Sequence, residues 1–353
     1  MKKLISLLLV LAMALTLVAC GGTTEAPAAT EAPAAEAPAA APEAPAAEVT
    51  TYDVGVAIYQ YNDNFMTLYR QEIEAYFKTL ETDSVKYNIT MVDSKNDMAE
   101  QTNQIDTFIT QGMDVIILNL VQTSSAEVLI DKVVGAGIPL ILINREPLGE
   151  TDESYPGIIN NPGVCYVGAD ARQSGPYQGE IVLALADKGD VNGNGKVDYV
   201  MIIGDPENPD AQYRTEFSIK ALTDAGVQVN ELVKQIGNWD QTKGNEITAA
   251  ALAQFGDEIE VVFCNNDGMA LGAYAAIEAA GRVVGEDIYL LGVDALAECQ
   301  EMVQAGTMTG TVLNDHIGQS HAAVDAAVAA LNGEALQNYY WVDYVKVDAN
   351  YFG

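Results

Sequence analysis

Residues 54–80 read VGVAIYQYNDNFMTLYRQEIEAYFKTL, and this stretch decides the fold. Its first part, Val54–Tyr59, is almost wholly apolar, which is typical of a strand buried on both faces. A polar turn containing Asn62 and Asp63 follows. Asn64–Leu80 then carries apolar side chains at helical spacing. The stretch therefore predicts a strand, a turn and a helix in direct succession.

The same alternation runs through the rest of the chain. Further strands are predicted at Tyr87–Val92, Val115–Leu118, Pro139–Ile143, Cys165–Gly168, Asp198–Ile203, Val233–Gly237, Glu260–Phe263 and Tyr289–Leu291. Further helices are predicted at Met98–Gln111, Ser124–Val134, Ser174–Ala186, Ala211–Ala225, Thr242–Phe255, Met269–Ala280 and Ala297–Ala305. Short apolar runs that alternate with helices indicate an α/β fold of parallel sheets with right-handed crossovers. A polar stretch with Pro147, Pro156 and Pro162 is predicted to be the passage between two sheets.

Length and charge narrow the class of protein. The 353 residues suggest two domains, and 50 acidic against 17 basic residues give a net charge of −33. Such a surface repels phosphate backbones, so nucleic-acid binding is excluded. Four cysteines are too few for a disulfide scaffold, and two histidines leave little for zinc or His-based catalysis. We expect Cys165, Cys264 and Cys299 to be buried free thiols.

The N-terminus is predicted to be a targeting segment. Lys2 and Lys3 precede an apolar run that is too short for a comfortable membrane span. The run ends in Leu17-Val-Ala-Cys20, which resembles the lipobox of bacterial lipoproteins, where the cysteine is lipidated. An ordinary signal peptide with a chance cysteine is the alternative. Residues 21–50 are rich in Ala, Pro and Glu and predict an extended tether.

Short polar side chains follow most of the predicted strands. They are Asp63, Asn119, Asp205, Asn208, Asp210, Asn265, Asn266, Asp267, Asp294 and Asn314. The carboxyl edge of a parallel sheet is where α/β proteins place ligands. Helix N-capping explains any single one of these residues equally well. Six such junctions exceed what capping needs, so the sequence predicts a polar binding crevice.

The residue types suggest what the crevice binds. Carboxylates accept from hydroxyl groups, carboxamides donate and accept, and Arg214 donates to ring or hydroxyl oxygens. A phosphate or carboxylate ligand would be repelled. A sugar fits this chemistry if Phe65 and Trp239 cover its C–H faces; taken alone, either aromatic residue is more typical of a core.

A second pattern predicts a metal site. Asp190, Asn192, Asn194 and Asp198 occupy positions 1, 3, 5 and 9 of a loop whose sixth position is glycine. This is the first part of an EF-hand-type calcium loop, with the Lys196 carbonyl at position 7. Position 12 lies in a strand and carries no carboxylate, so a further ligand must come from elsewhere. A turn rich in Asn and Gly is the alternative.

These motifs resemble the galactose/glucose-binding proteins of bacterial sugar ABC transporters. The resemblance covers residues 52–353 and rests on the segments IYQYNDNF (58–65), NLV (119–121), PDAQYR (209–214), NWD (238–240), NNDGMA (265–270), GVDAL (292–296) and GTVLND (310–315). It implies two Rossmann-like lobes of the type I periplasmic binding protein architecture, joined by three crossover segments with the sugar between them. It also implies that Glu260 completes the calcium site.

By this resemblance the sugar-binding residues are Asp63, Asn64, Phe65, Asn119, Asn208, Asp210, Arg214, Trp239, Asn266, Asp294 and Asn314. The expected organisation is a signal peptide (1–20), a tether (21–50), an N-terminal lobe (51–145 and 315–338) and a C-terminal lobe (146–314 and 339–353). Asn208 stands where familiar members have histidine, which leaves galactose, glucose and pentoses or glycosides open.

The expected function is a monomeric binding protein, anchored through Cys20 on the outer face of the cell membrane. It captures a monosaccharide and delivers it to an ABC permease, with a chemoreceptor as a further candidate partner. Membrane contact is expected only through the lipid. A glycoside-acting enzyme on the same scaffold is the alternative, but no carboxylate sits in an obviously apolar pocket. A transcriptional regulator of related fold is excluded because the N-terminus lacks a basic helix-turn-helix.

Overall fold

The computed structural model describes residues 49–149 and 153–353, all within one compact unit. The signal peptide, Cys20 and nearly all of the predicted tether lie outside the described residues. Within the described part, no helix is long and apolar enough to span a bilayer.

The first lobe is built on a six-stranded parallel sheet. Its strands, in spatial order, are β11 (Tyr339–Trp341), β5 (Val164–Gly168), β4 (Leu140–Ile143), β3 (Val115–Leu118), β1 (Thr50–Ile58) and β2 (Val85–Asp93). Helices α1 (Asn64–Leu80) and α10 (His316–Leu331) cover one face. Helices α2 (Met98–Gln111), α3 (Ala126–Gly135) and the short α4 (Pro156–Ile159) cover the other.

Strand β1 shows why this sheet has two cores. Val54, Val56 and Ile58 pack into the cluster that includes Phe77 of α1, whereas Ala57 packs on the opposite face with Phe108 of α2. Successive side chains of a strand point to opposite faces, so a continuous apolar run supplies both cores at once.

The second lobe contains a four-stranded parallel sheet and a strand pair beside it. The four strands, in spatial order, are β7 (Val229–Ile236), β6 (Val197–Ile203), β8 (Val261–Cys264) and β9 (Tyr289–Leu291). The pair is β10 (Thr311–Leu313) and β12 (Val345–Val347), which are antiparallel. Isolated bridges from Leu291 to Gly310 and from Asp294 to Leu313 connect β9 with β10.

Five helices enclose this second sheet. Helices α5 (Ala171–Leu183) and α6 (Pro209–Asp224) pack on one face, and α7 (Gln241–Phe255), α8 (Asp267–Ala279) and α9 (Ala297–Ala305) pack on the other. The α7–α8 pair approaches closely because α8 carries Gly272, where a Cβ atom would lie 1.9 Å from the Gln241 carbonyl oxygen. The two Rossmann-like lobes agree with the fold class expected from the sequence.

Two expected lobe boundaries are wrong. Strand β5 pairs with β4, so the stretch containing Pro147, Pro156 and Pro162 is a crossover within the first sheet and not a passage between sheets. Pro156 stands in the first turn of α4, a position that tolerates its missing N–H. Residues 146–149 and 153–168 therefore belong to the first lobe. Strand β11 also pairs in that sheet, which corrects the assignment of residues 339–341.

The chain passes between the lobes, over the described residues, at three places. These follow β5 at residues 169–170, follow β10 at 314–315, and join β11 to β12 at 342–344. Short connecting segments between two compact lobes are the usual form of a hinge. The carboxyl ends of both parallel sheets face this junction, and the site lies there.

Candidate functional site

A cavity lies between the two lobes. It is lined by Tyr59, Asp63, Phe65, Met66, Asn144, Arg145, Asn208, Asp210, Arg214, Trp239, Asn266, Asp294 and Asn314. The set includes every predicted sugar-binding residue except Asn64 and Asn119. Tyr59, Met66, Asn144 and Arg145 are additional residues that the sequence did not point out.

Three lining residues are also helix N-caps. Asp63 Oδ1 accepts from the Met66 backbone N–H at 2.7 Å and caps α1. Asn208 Oδ1 accepts from the Asp210 N–H at 3.0 Å to cap α6, and Asn266 Oδ1 accepts from the Met269 N–H at 2.9 Å to cap α8. Capping takes one atom of each side chain and fixes the direction of the other. One side chain can therefore cap a helix and line the cavity at the same time.

Arg214 organises the second lobe's side of the cavity. It is 3% exposed and donates to Asp210 Oδ2 at 3.0 Å, to the Tyr344 hydroxyl at 2.8 Å and to the Asn265 carbonyl at 2.9 Å. Its Nε is buried and, within the described part of the chain, has no hydrogen-bond partner. An orphaned buried donor in a cavity wall is a candidate partner for a ligand oxygen.

The carboxyl groups of the cavity are strongly desolvated. Burial raises the pKa of Asp210, although Arg214 and Arg145 lower it. Burial also raises the pKa of Asp294 well above its ordinary value, with Arg214 opposing and Asp267 adding to the rise. Burial alone would lower the pKa of Arg214, but Tyr344, Asp210 and Asp294 raise it above its usual range. Hydroxyl groups that donate to these carboxylates would compensate their lost hydration, whereas an anion would add repulsion.

Phe65 and Trp239 enter the cavity from opposite lobes. Phe65 is 6% exposed and meets the rings of Tyr69 and His316 edge-on. Trp239 is half-buried and lies against Gly204, where a Cβ atom would be 2.2 Å from the indole. Asn238 and Trp239 both have positive φ angles, of 51° and 65°. Backbone strain of this kind is stored where a side chain must be aimed, and here it directs the indole into the cleft.

Arg145 is the most informative residue that the sequence reasoning missed. It is 2% exposed, its guanidinium carbon lies 3.8 Å from the Tyr59 ring centroid, and it donates to the Val121 carbonyl. It also pairs with Asp205 of the second lobe at 3.0 Å, an ion pair across the cleft. The signal was present: Asn144-Arg145 follows the predicted strand Pro139–Ile143 directly, as the other site residues follow theirs.

Asn64 and Asn119 lie outside the cavity lining. Asn64 is exposed at the start of α1. Asn119 is fully buried, and its amide accepts from the Tyr59 N–H at 3.3 Å and donates to the Ile143 carbonyl and to Asn144 Oδ1, both at 3.1 Å. Asn119 thus ties together the ends of three adjacent strands, β1, β3 and β4. Its position after a strand does not distinguish this structural use from ligand contact.

The loop predicted to bind calcium is folded around its own polar groups. Asp190 accepts from the N–H groups of Asn194 and Gly195, both at 3.0 Å. Lys196 Nζ lies 2.6 Å from Asp198 Oδ1. Across the described residues, no group of three His, Cys, Asp or Glu side chains is arranged to hold a metal ion.

Glu260 lies beside this loop. It is 1% exposed and accepts from the Asn192 N–H at 2.9 Å and from the Asp198 N–H at 2.8 Å. Burial raises the pKa of Glu260, those two N–H groups lower it, and Asp190 and Asp198 raise it. The donor set is therefore gathered in one place, but Lys196 would have to leave Asp198. Calcium binding stays a prediction.

The remaining cysteines are as expected. Cys165, Cys264 and Cys299 are free and buried, and burial raises the pKa of Cys165 to about 12. A thiol of this kind is inert and contributes by packing.

Comparison with known proteins identifies the family. Residues 54–335 match the family model described as periplasmic binding protein domain, and the chain belongs to this family. The D-galactose/methyl-galactoside binding periplasmic protein of Haemophilus influenzae is 33% identical over 317 residues, which cover 85% of this chain and 90% of that protein.

Two solved structures of solute-binding proteins are similar to this chain. An ABC transporter solute binding protein from Bacillus halodurans with bound myo-inositol is 28% identical, with a TM-score of 0.73, and the match covers 85% of this chain and 95% of that one. A periplasmic solute binding protein of an ABC transporter from Actinobacillus succinogenes with bound D-allose has a TM-score of 0.72 over 85% and 98% of the two chains. At 21% identity this second likeness supports the fold alone. The family and these relatives show that the protein is a solute-binding protein of the ABC transporter type and not an enzyme.

Proposed function

We propose that this protein captures a monosaccharide, galactose or glucose, between its lobes and delivers it to an ABC permease. The observation that carries the proposal is the composition of the cavity wall. Polar side chains of both lobes line it, together with Phe65 of the first lobe and Trp239 of the second. Aromatic faces cover the C–H surfaces of a pyranose ring while carboxylates and carboxamides take its hydroxyls.

A calorimetric titration of the protein with galactose, glucose, ribose, allose and myo-inositol tests this proposal. We expect the tightest binding for one of the two named hexoses. The galactoside-binding relative, 33% identical, supports this preference. The structure with bound myo-inositol supports a cyclic polyol as the second candidate. Absence of heat with all five ligands would contradict the proposal.

Anchoring through Cys20 is part of the same proposal, because a binding protein that serves a permease works at the membrane surface. Its support is the lipobox-like sequence and the Ala/Pro/Glu-rich stretch behind it. Two acyl chains hold a protein at a bilayer far better than one. Cys20→Ser should move the protein from the membrane fraction to the soluble fraction. An unchanged distribution would contradict anchoring through Cys20.

We also propose that the loop from Asp190 to Asp198 binds calcium as a structural ion. The supporting observation is the burial of Glu260 beside that loop, bonded to it through two backbone N–H groups. The ligands would be Asp190, Asn192, Asn194, Asp198, Glu260 and the carbonyl of Lys196, all oxygen donors of the kind that Ca²⁺ prefers.

A further inference from the structure

The loop that carries Asp294 has an unusual backbone. Asp294 and Ala295, which follow β9, have positive φ angles of 121° and 52°. Positive φ angles are unfavourable for residues with a Cβ atom and persist only where the surroundings impose them. Asp294 is 4% exposed and lines the cavity between the lobes. The strained loop therefore decides where one of the cavity's carboxylates points.

Backbone hydrogen bonds hold this loop on two sides. The Val293 carbonyl accepts from the Asp267 N–H, at the start of α8, at 2.6 Å. The Asp294 N–H donates to the Val312 carbonyl of β10 at 2.8 Å. The first half of the 293–296 loop is thus bonded to both a helix and a strand of the second lobe.

Two side chains hold the second half of the loop. Thr311 Oγ1 accepts from the Ala295 N–H at 3.3 Å and donates its own hydrogen to Asp267 Oδ1 at 2.7 Å. The other oxygen of that carboxylate, Asp267 Oδ2, accepts from the Leu296 N–H at 2.8 Å. Both side chains are fully buried. We call Asp267 and Thr311 the clamp.

The end of β9 is shaped to admit the clamp. A Cβ atom at Gly292 would lie 2.1 Å from Asp267 Oδ1, so only glycine lets the carboxylate come this close to the loop. Asp267 and Thr311 are not among the described residues that line the cavity. The clamp therefore contacts the loop and not the space that a ligand would fill.

We infer that Asp267 and Thr311 are positioning residues for ligand binding: they hold the strained 293–296 backbone and so aim Asp294 into the cavity. Each bond of the clamp is buried, and breaking one would leave a desolvated polar group without a partner. The inference deepens the proposed function and rests on it, because contact between Asp294 and a sugar is part of that proposal.

Thr311→Val tests the clamp by removing the hydroxyl group and keeping the shape of the side chain. The Ala295 N–H and Asp267 Oδ1 then lose their common partner. We expect the affinity for the tighter-binding of galactose and glucose, measured by calorimetry, to fall at least fivefold. Thr248→Val is the matched control, because Thr248 is equally buried and its hydroxyl is bonded to the Gly244 carbonyl within α7. It should bind within twofold of the wild type. A loss below fivefold in Thr311→Val, or an equal loss in both variants, overturns the inference.

Ala295→Gly separates positioning of the loop from general destabilisation. Glycine has no Cβ atom and adopts a φ of 52° without strain, so the loop depends less on the clamp. The double variant Thr311→Val/Ala295→Gly should therefore bind the sugar at least threefold more tightly than Thr311→Val alone. A clamp that only stabilised the fold would give no such recovery. Recovery below threefold overturns the inference.

Amide hydrogen exchange of the ligand-free wild type also decides the matter if Thr311→Val does not fold. We expect the amides of Asp294, Ala295 and Leu296 to exchange as slowly as those of β8, since a clamped loop opens only together with the sheet. Exchange at the rate of exposed loops would overturn the inference. If neither hexose binds the wild type although these amides are protected, the proposed function is what fails, and the inference fails with it.

Discussion

Asp63, Asn208 and Asn266 each cap a helix and also line the cavity. Their positions after strands suggested either helix capping or ligand contact, and the structure shows that capping does not keep these side chains out of the cavity. In a parallel α/β lobe the helix that follows a strand begins at the sheet's carboxyl edge, so a capping side chain stands at the ligand site. Asp63 shows the geometry: one oxygen caps α1, and the other accepts from the Tyr59 hydroxyl at 2.6 Å.

Asp210→Ala should weaken sugar binding by about 2–5 kcal/mol, because Arg214 would keep its buried charge without its partner at 3.0 Å. Asp224→Ala is the matched control, since Asp224 lies exposed at the other end of the same helix. Calorimetry measures both variants. Equal affinity of Asp210→Ala and the wild type would remove Asp210 from the site.

Asp267 makes stability depend on pH. It is fully buried, accepts from Thr311 Oγ1 at 2.7 Å and from the Leu296 N–H at 2.8 Å, and burial raises its pKa to about 6 against those bonds. A raised folded-state pKa means that its stabilisation is complete below the unfolded pKa of 3.8 and is lost as the pH rises through about 6.

The free energy of unfolding of Asp267→Asn should therefore increase relative to that of the wild type as the pH rises. Since one pKa unit corresponds to about 1.4 kcal/mol, the difference in unfolding free energy should shift by about 2.4 kcal/mol between pH 4 and 7. Urea unfolding at four pH values measures it, with Asp224→Asn as an exposed control. A difference that stays constant with pH contradicts the assignment.

At the scale of elements, the spacing of apolar residues predicted helix bounds correctly where a capping residue marked the same start. The expected bounds of α1 and α2 match the structure, because Asp63 and Asp97 cap their first turns. Helix α5 instead begins three residues before the expected Ser174, at Ala171, where Asp170 accepts from the Arg172 N–H at 3.0 Å.

The calcium loop and strand β8 should act as one element when the ion binds. An ion that binds only the folded protein adds RT ln(1 + [L]/Kd), about 2.7 kcal/mol at a hundredfold excess over Kd. Calcium should therefore raise the melting temperature, and EDTA should lower it again. Differential scanning calorimetry with and without calcium measures the shift.

Glu260→Gln should abolish that calcium-dependent shift, whatever it does to the melting temperature in EDTA. Glu258→Gln, an exposed neighbour on the same segment, should retain it. If the wild-type melting temperature is identical in calcium and in EDTA, the loop does not bind calcium and is only a turn.

At the scale of the whole molecule, the Arg145–Asp205 ion pair joins the lobes directly. Asp205→Asn should destabilise the closed arrangement and raise the sugar dissociation rate by about tenfold, since losing one partner of a buried charge pair acts mainly on dissociation. Stopped-flow tryptophan fluorescence measures the rate. Glu207→Gln, exposed on the same loop, is the control, and equal rates in both variants would show that the pair does not hold the lobes together.

The sequence by itself determined the α/β class, the order of most elements and the polar residues at the strand ends, because hydrophobic period and capping are local properties. It also indicated the aromatic pair, Phe65 and Trp239. Tertiary structure decided which strands share a sheet: β5 and β11 complete the first sheet because their backbone groups pair there, and no local pattern records a partner. It likewise decided that Asn119 ties strands together while Arg145 lines the cavity, since the use of a buried polar group depends on which groups surround it after folding.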